Sequence, residues 1–434
     1  MSVSPRRTTT RLLCGLGAAG LLLSACGSGG GGGSGSGSDG SFDYLGQTEN
    51  TTIAATFKSL STGACKTQND ALPLKTSSSP GGQFDQKLQL LSGQGALSDV
   101  SMGAGTPALM QQFIEAKQVQ DLEPALQEAG AAEAVLPAAK ATLKALYGDQ
   151  GLYALPTEFN IEGFWYNEEI FTENDVEIPA TWDEFVAAAE KLQAAGVQPI
   201  AADGKTGWQI TRLIGNYIAR DLGPDALQKV ADGQAKLSDP EYVKAAEAVA
   251  ALGKLDAFGK SPGSIDYNVA MNAFLTGKAA MMYNGSWALG NYNDETQNKI
   301  GVDNIGYLPF PAVTGGAGSI EDVPANVGVP IMFSSSDFEG GVKDWATCIA
   351  QNYGDQALAA EGVVSGFTIK QTPADLPPLT KVVQETSAEA SNTILWFEAL
   401  FSSKATTVSQ QNAAPLATGQ LSPADFMTKV QNAG

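Results

Sequence analysis

Residues 153–167 read Tyr153-Ala154-Leu155-Pro156-Thr157-Glu158-Phe159-Asn160-Ile161-Glu162-Gly163-Phe164-Trp165-Tyr166-Asn167. Glu158 and Asn160 alternate with Phe159 and Ile161, a period of two that sets the polar pair on one face of a strand. Trp165 belongs to the apolar continuation of that strand. Shortly after it, Thr181-Trp182-Asp183-Glu184 has the spacing of a capping box. Phe185, Ala188, Ala189 and Leu192 then fall on one helical face, and Gly196 is the stop.

The same strand-then-helix rhythm extends in both directions and predicts an α/β fold. Residues 51–57 read as the first strand, and residues 84–91 as an amphipathic helix. Residues 97–102 resemble a strand that ends in a Gly-rich turn. Thr106-Pro107 opens a further helix, with Pro tolerated in its first turn. Asp239-Pro240-Glu241 and Ser422-Pro423-Ala424-Asp425 each place a cap before a proline and an acid near the positive helix end.

The chain opens with basic Arg6, Arg7 and Arg11, continues through an apolar run at 12–23 and reaches Leu23-Ser24-Ala25-Cys26. That order defines a secretory signal over residues 1–25, too short to span a bilayer. The Leu-Ser-Ala-Cys ending resembles the bacterial lipobox, which implies lipidation of Cys26 and export by the general rather than the twin-arginine route. Residues 26–41 are nearly all Gly and Ser beyond the cysteine, a flexible tether with a reach on the order of 20 Å. No later stretch is apolar for 18 residues, so the only expected membrane attachment is the lipid.

Composition restricts the chemistry. Of the 434 residues, 393 follow position 41, enough for two domains. Setting aside Arg6, Arg7 and Arg11 leaves 23 of the 26 basic residues against 46 acidic ones, which argues against nucleic acid. Histidine is absent, which removes Ser-His-Asp and Cys-His catalysis and His-ligated metals. Cys14 leaves with the signal and Cys26 is acylated, so Cys65 and Cys348 remain in the body. Two thiols in an oxidising location favour a disulfide over a reactive pair, and two cysteines alone make no zinc site. Neither a metal nor a cofactor is expected.

Three stretches carry a resemblance. One is the quoted segment with Ile178-Pro179-Ala180-Thr181-Trp182-Asp183-Glu184-Phe185. The second is Phe274-Leu275-Thr276-Gly277-Lys278-Ala279-Ala280-Met281-Met282-Tyr283-Asn284-Gly285-Ser286-Trp287, and the third is Gly306-Tyr307-Leu308-Pro309-Phe310-Pro311. Together they resemble the extracellular solute-binding proteins of ATP-driven (ABC) sugar importers, the group containing the maltodextrin-binding proteins. The resemblance, joined by residues 419–426, covers most of 84–434. It implies a two-lobe periplasmic-binding-protein-like fold of type II, with the ligand between the lobes. Crossings near Thr157, Val327 and Thr372 would give lobe 1 as 42–157 and 328–371, and lobe 2 as 158–327 and 372–434. Cys65 and Cys348 would share lobe 1. Two departures stand out: residues 58–83 lack the long helix the family sets after its first strand, and 314–322 form a Gly-rich insertion-like loop.

A sugar site needs planar hydrogen-bonding side chains and aromatic platforms. The resemblance implies Trp287 as the stacking tryptophan and Glu158 and Asn160 as polar ligands beside the first crossing. Trp396 is open to either reading, cleft or core, and Trp208 lies in a polar, loop-like setting that suits a site. Thr106, after Gly105, would reach a ligand at a helix N-terminus. Asn326 and Phe367 lie near the second and third crossings. Trp165, Trp182 and Trp345 read as structural. The expected function is capture of a mono- or oligosaccharide for a membrane permease by a lipid-anchored monomer outside the cell membrane. The alternatives are another solute, such as glycerol phosphate, a polyamine or a metal chelate; an adhesive lipoprotein; or a surface glycosidase. For the last, Glu158 and Glu162 at same-face spacing would stand roughly 13 Å apart, wider than hydrolysis prefers.

Overall fold

The computed structural model describes residues 40–434 except 49, 149, 150 and 391. The expected signal at 1–25, Cys26 and almost all of the Gly/Ser tether lie outside the described residues. Among the described residues, no helix is long and apolar enough to cross a membrane.

Among the described residues, ten strands form two sheets. In chain order they are β1 Phe42–Gln47, β2 Leu74–Ser79, β3 Val100–Met102, β4 Asn160–Asn167, β5 Gln198–Ala201, β6 Ala279–Gly285, β7 Ile305–Leu308, β8 Asp322–Asn326, β9 Ile331–Phe333 and β10 Asn392–Ile394. The first sheet runs β2-β1-β3-β9, with β9 antiparallel to β3 and the other pairs parallel. The second runs β10-β8-β4-β6-β5, and β7 also pairs with β4. Helices follow most strands, as the sequence rhythm predicts.

The first strand is a correction. Residues 51–57, expected as a strand, begin the helix Thr52–Thr62, and the strand lies earlier at β1. Thr51, Thr52 and Ile53 have strand-like side chains, but Ile53, Phe57 and Leu60 are all fully buried. Their spacing of four and three is that of a helix face. Thr52–Thr62 is the helix that follows strand one, and of the 58–83 stretch only 58–62 belong to it, the remainder holding the short helix Lys66–Ala71 and β2. The 84–91 and Thr106-Pro107 expectations match helices Phe84–Gly93 and Pro107–Glu115.

Helix Trp182–Ala194 begins with a complete capping box. Glu184 N–H donates to Thr181 Oγ1 at 3.3 Å, and Thr181 N–H donates to Glu184 Oε2 at 3.0 Å. Thr181→Ala should lower stability by about 1 kcal/mol in urea unfolding. An unchanged midpoint would mean that Trp182 and Phe185, both packed in the core, hold the helix end without the cap.

The Gly-rich loop at 314–322 lies on the C-terminal end of helix Trp208–Leu222. Gly318 N–H donates to Arg220 O and Ala317 N–H to Asp221 O, each at 3.0 Å. These carbonyls have no partner within the helix, so the loop closes its end. A Cβ on Gly318 would stand 2.1 Å from Ala219 O, which is why the approach requires glycine.

Two segments running between the sheets lie side by side and antiparallel. Leu155 and Ile331 exchange backbone hydrogen bonds at 2.8 and 3.0 Å. Farther along, Asn160 pairs with Asn326 and Ile161 with Ala325 at the start of β4 and the end of β8. A third segment joins them: Gly366 N–H donates to Pro156 O and Phe159 N–H to Val364 O, both at 3.0 Å. Cys65 and Cys348 are disulfide-bonded, linking the start of helix Lys66–Ala71 to helix Gly341–Glu361.

Candidate functional site

The strand β4 alternates as its sequence requires. Ile161 and Trp165 enter one core cluster, and Phe164 and Tyr166 enter the other. Asn160 and Glu162 therefore share a face, with Glu158 two residues before them. Asn160 Nδ2 donates to Glu158 Oε2 at 3.3 Å and to Asn326 Oδ1 at 3.4 Å, and Ser286 Oγ donates to Asn160 Oδ1 at 3.1 Å. Asn326 Nδ2 passes the network to Glu162 Oε1 at 2.9 Å. Burial pushes the Glu158 carboxyl above its usual range, against a smaller opposing effect of its amide hydrogen bonds.

At the centre stands Arg212, whose Nε donates to Glu162 Oε2 at 2.9 Å. Its Nη1 lies 3.7 Å from Glu398 Oε2, and Ser409 Oγ donates to Glu398 Oε1 at 2.8 Å. Tyr283 OH also donates to Glu162 Oε2, at 3.2 Å. Burial raises the Glu398 carboxyl, and the neighbouring Arg212 charge opposes that rise. The guanidinium is 5.1 Å from the Trp396 ring centre and 5.6 Å from that of Trp208, both within cation–π range.

Local geometry places these rings. Gly207, with φ +85°, lets the chain turn into helix Trp208–Leu222, and a Cβ there would meet Gln410 O at 2.1 Å. Trp208 is thereby fixed in the first turn, and Arg212 follows at i+4 on the same face. Trp287 lies just past β6 in the short 3₁₀ turn Ser286–Ala288, its ring folded over Gly285, where no Cβ would fit. Its ring centre is 5.8 Å from that of Trp208, which is 6.2 Å from that of Tyr267. Trp287 keeps 37 % of its surface exposed, unlike the fully buried Trp165 and Trp345 and the nearly buried Trp182.

Beside this constellation is a cleft of about 940 Å³. Helices Pro107–Glu115 and Pro137–Tyr147 contribute Thr106 at the first helix's N-cap, Gln111 and Lys144. Segment 396–401 contributes Trp396, and helix Ala226–Ala231 contributes Gln228.

Six of the expected ligand residues, Trp287, Trp208, Trp396, Glu158, Asn160 and Asn326, thus join one network of contacts around Arg212. Thr106 lines the cleft, but its hydroxyl donates to Asp85 Oδ2 and Gly105 N–H to Asp85 Oδ1, both at 2.9 Å. The Thr106 hydroxyl and the Gly105 N–H expected to reach a ligand are thus already held by a carboxylate beside the helix N-terminus. Phe367 is a correction. It is fully buried with its ring 5.4 Å from that of Tyr353, because Gly366 packs tightly against Pro156 and Ala139 beneath the paired segments. Sequence reasoning missed Arg212 and Glu398, and it considered Glu162 only for hydrolysis. The i+4 step from Trp208 was the available signal for Arg212.

A family profile for bacterial extracellular solute-binding proteins matches residues 49–347. The chain belongs to that family. This solute-binding protein is 29 % identical over 186 residues to a multiple sugar-binding protein of Streptococcus mutans, covering 40 % of this chain and 43 % of that one. It is 28 % identical over 168 residues to an uncharacterized ABC transporter extracellular-binding protein of Pyrococcus horikoshii, covering 38 % of each. These alignments span less than half the length of either curated relative.

Among solved structures, it resembles a chitin oligosaccharide binding protein at 25 % identity and a TM-score of 0.72, covering 92 % of this chain and 98 % of that one. A structure from a study of xylan utilization by Caldanaerobius polysaccharolyticus gives a TM-score of 0.73 at 18 % identity, over 90 % and 99 % of the two chains. The expected two-lobed α/β architecture is thereby established for this solute-binding protein.

Proposed function

We propose that the protein captures a carbohydrate, an oligosaccharide, between its lobes and delivers it to the permease of an ATP-driven importer. The observation that carries this reading is the group of partly exposed rings, Trp287, Trp208 and Trp396, held beside the polar array Glu158, Asn160 and Asn326. Apolar sugar faces stack on such rings, and sugar hydroxyls match planar amide and carboxylate groups. Relatives described as sugar-binding support the same reading. The lobes divide as 42–157 with 328–371 and 158–327 with 372–434, the segments near Thr157, Val327 and Thr372 serving as hinges. Ligand closes the lobes through its higher affinity for the closed form.

The protein binds without transforming its ligand. Glu162, the nearer partner for a hydrolytic pair with Glu158, is held by Arg212, Asn326 and Tyr283. A lipid on Cys26 and the Gly/Ser tether hold a monomer at the outer face of the membrane, where attachment through a short linker keeps its concentration near the permease high.

A tryptophan-fluorescence or thermal-shift screen of residues 42–434 against mono- and oligosaccharides tests the reading. A saturable response to an oligosaccharide is expected. A response confined to polyamines or glycerol phosphate would replace the ligand class. Trp287→Ala should weaken the bound sugar about 30-fold, the loss of a buried aromatic anchor of about 2 kcal/mol. Unchanged affinity in the folded variant would remove Trp287 from the site.

A further inference from the structure

An arginine set among tryptophans beside a cleft ordinarily marks a site for carboxylate or phosphate, because its planar fork matches both. Here that charge is already committed. Arg212 gives Nε to Glu162 at 2.9 Å and holds Nη1 3.7 Å from Glu398, and only 13 % of its side chain is exposed. Both carboxylates are buried. Two buried acids share the one guanidinium, so no positive charge is left over for a ligand at the centre of the constellation. Glu398 Oε2 is buried and faces Arg212 Nη1 as its charged neighbour.

The cleft wall offers little to offset this. Lys144 is the one cation among its lining residues, and it shares Glu123 with Lys140 at 3.1 and 3.7 Å. Behind the same wall, Asp85 accepts from Gly105 N–H and Thr106 Oγ1 and so sets a carboxylate just before helix Pro107–Glu115, where an incoming anion would meet it. The nearby Glu158 adds another acid.

We infer that the site selects uncharged saccharides and excludes those bearing a carboxylate or phosphate group, with Glu162 and Glu398 as the residues that withdraw Arg212 from ligand recognition. The inference rests on the carbohydrate reading above. An acidic sugar would have to displace one of these carboxylates or sit unpaired beside them, and either route costs affinity.

Titration calorimetry on the soluble protein with trisaccharides of equal length tests it. The neutral probes are maltotriose, cellotriose, xylotriose and triacetylchitotriose, and the acidic probe is trigalacturonate. The best neutral trisaccharide should bind at least about tenfold more tightly than trigalacturonate. Trigalacturonate binding as tightly as the best neutral sugar, or more tightly, overturns the inference while leaving the carbohydrate reading intact. If no trisaccharide of either kind binds, the carbohydrate reading falls and the inference with it.

Glu398→Gln removes one acid while keeping the side-chain shape, so the neutral-to-acidic affinity ratio should shift toward trigalacturonate. An unshifted ratio in a variant that folds, as judged by circular dichroism, overturns the role given to Glu398. If the variant does not fold, the wild-type ratio decides.

Discussion

Arg212→Ala is expected to lower the stability of the protein by about 3–5 kcal/mol, the cost of stranding a buried carboxylate without its partner. Glu162 is only 2 % exposed and takes its shortest charged contact from Arg212 Nε. Glu398 loses its counter-ion in the same change. Tyr283 and Asn326 would still donate to Glu162, but neutral donors replace only part of a full charge. Arg212→Lys should recover part of the loss, since an ammonium supplies charge without the planar fork that lies against Trp208 and Trp396. Urea unfolding followed by far-ultraviolet circular dichroism measures both variants. A loss below about 1 kcal/mol for Arg212→Ala would show that water or rearrangement compensates Glu162.

The disulfide provides the second large effect. Cys65 and Cys348 close a loop across 283 residues of sequence and are themselves almost wholly buried. Replacing both with serine should lower stability by about 2–4 kcal/mol, chiefly by releasing the unfolded chain. The bond ties the start of helix Lys66–Ala71 to helix Gly341–Glu361, where Trp345 stacks on Phe42 at 4.8 Å and its Nε1 donates to Leu72 O at 2.9 Å. Neither cysteine touches the aromatic network around Arg212. Sugar affinity should therefore persist in the double variant below its unfolding midpoint. A midpoint in urea that does not move in the double variant would show that the bond contributes nothing to stability.

Much of this architecture was legible in the residues, for reasons that differ from element to element. Thr181 and Glu184 announce their helix because a capping box is a local contract between residues three apart. Trp287 and Asn160 were reachable through motif resemblance and through period two. Residues 51–57 misled because β-branched side chains there suggest a strand, while burial of Ile53, Phe57 and Leu60 decides for a helix. Arg212 escaped because its importance comes from partners 50 and 186 positions away, Glu162 and Glu398, which only the fold brings together. Phe367 failed for the opposite reason: closeness to a crossing in sequence says nothing about which way a ring faces.

The paired segments between the sheets have a mechanical meaning. Leu155 with Ile331, and Asn160 with Asn326, make a short antiparallel ladder that both legs share. Shear between the legs would load all its bonds together, whereas bending across the ladder strains each only slightly. Under the hinge proposed above, such a joint would bend more readily than it slides. Asn160 and Asn326, proposed to touch the ligand, pair within this ladder, so under the proposed hinge a sugar held there would grip the joint itself.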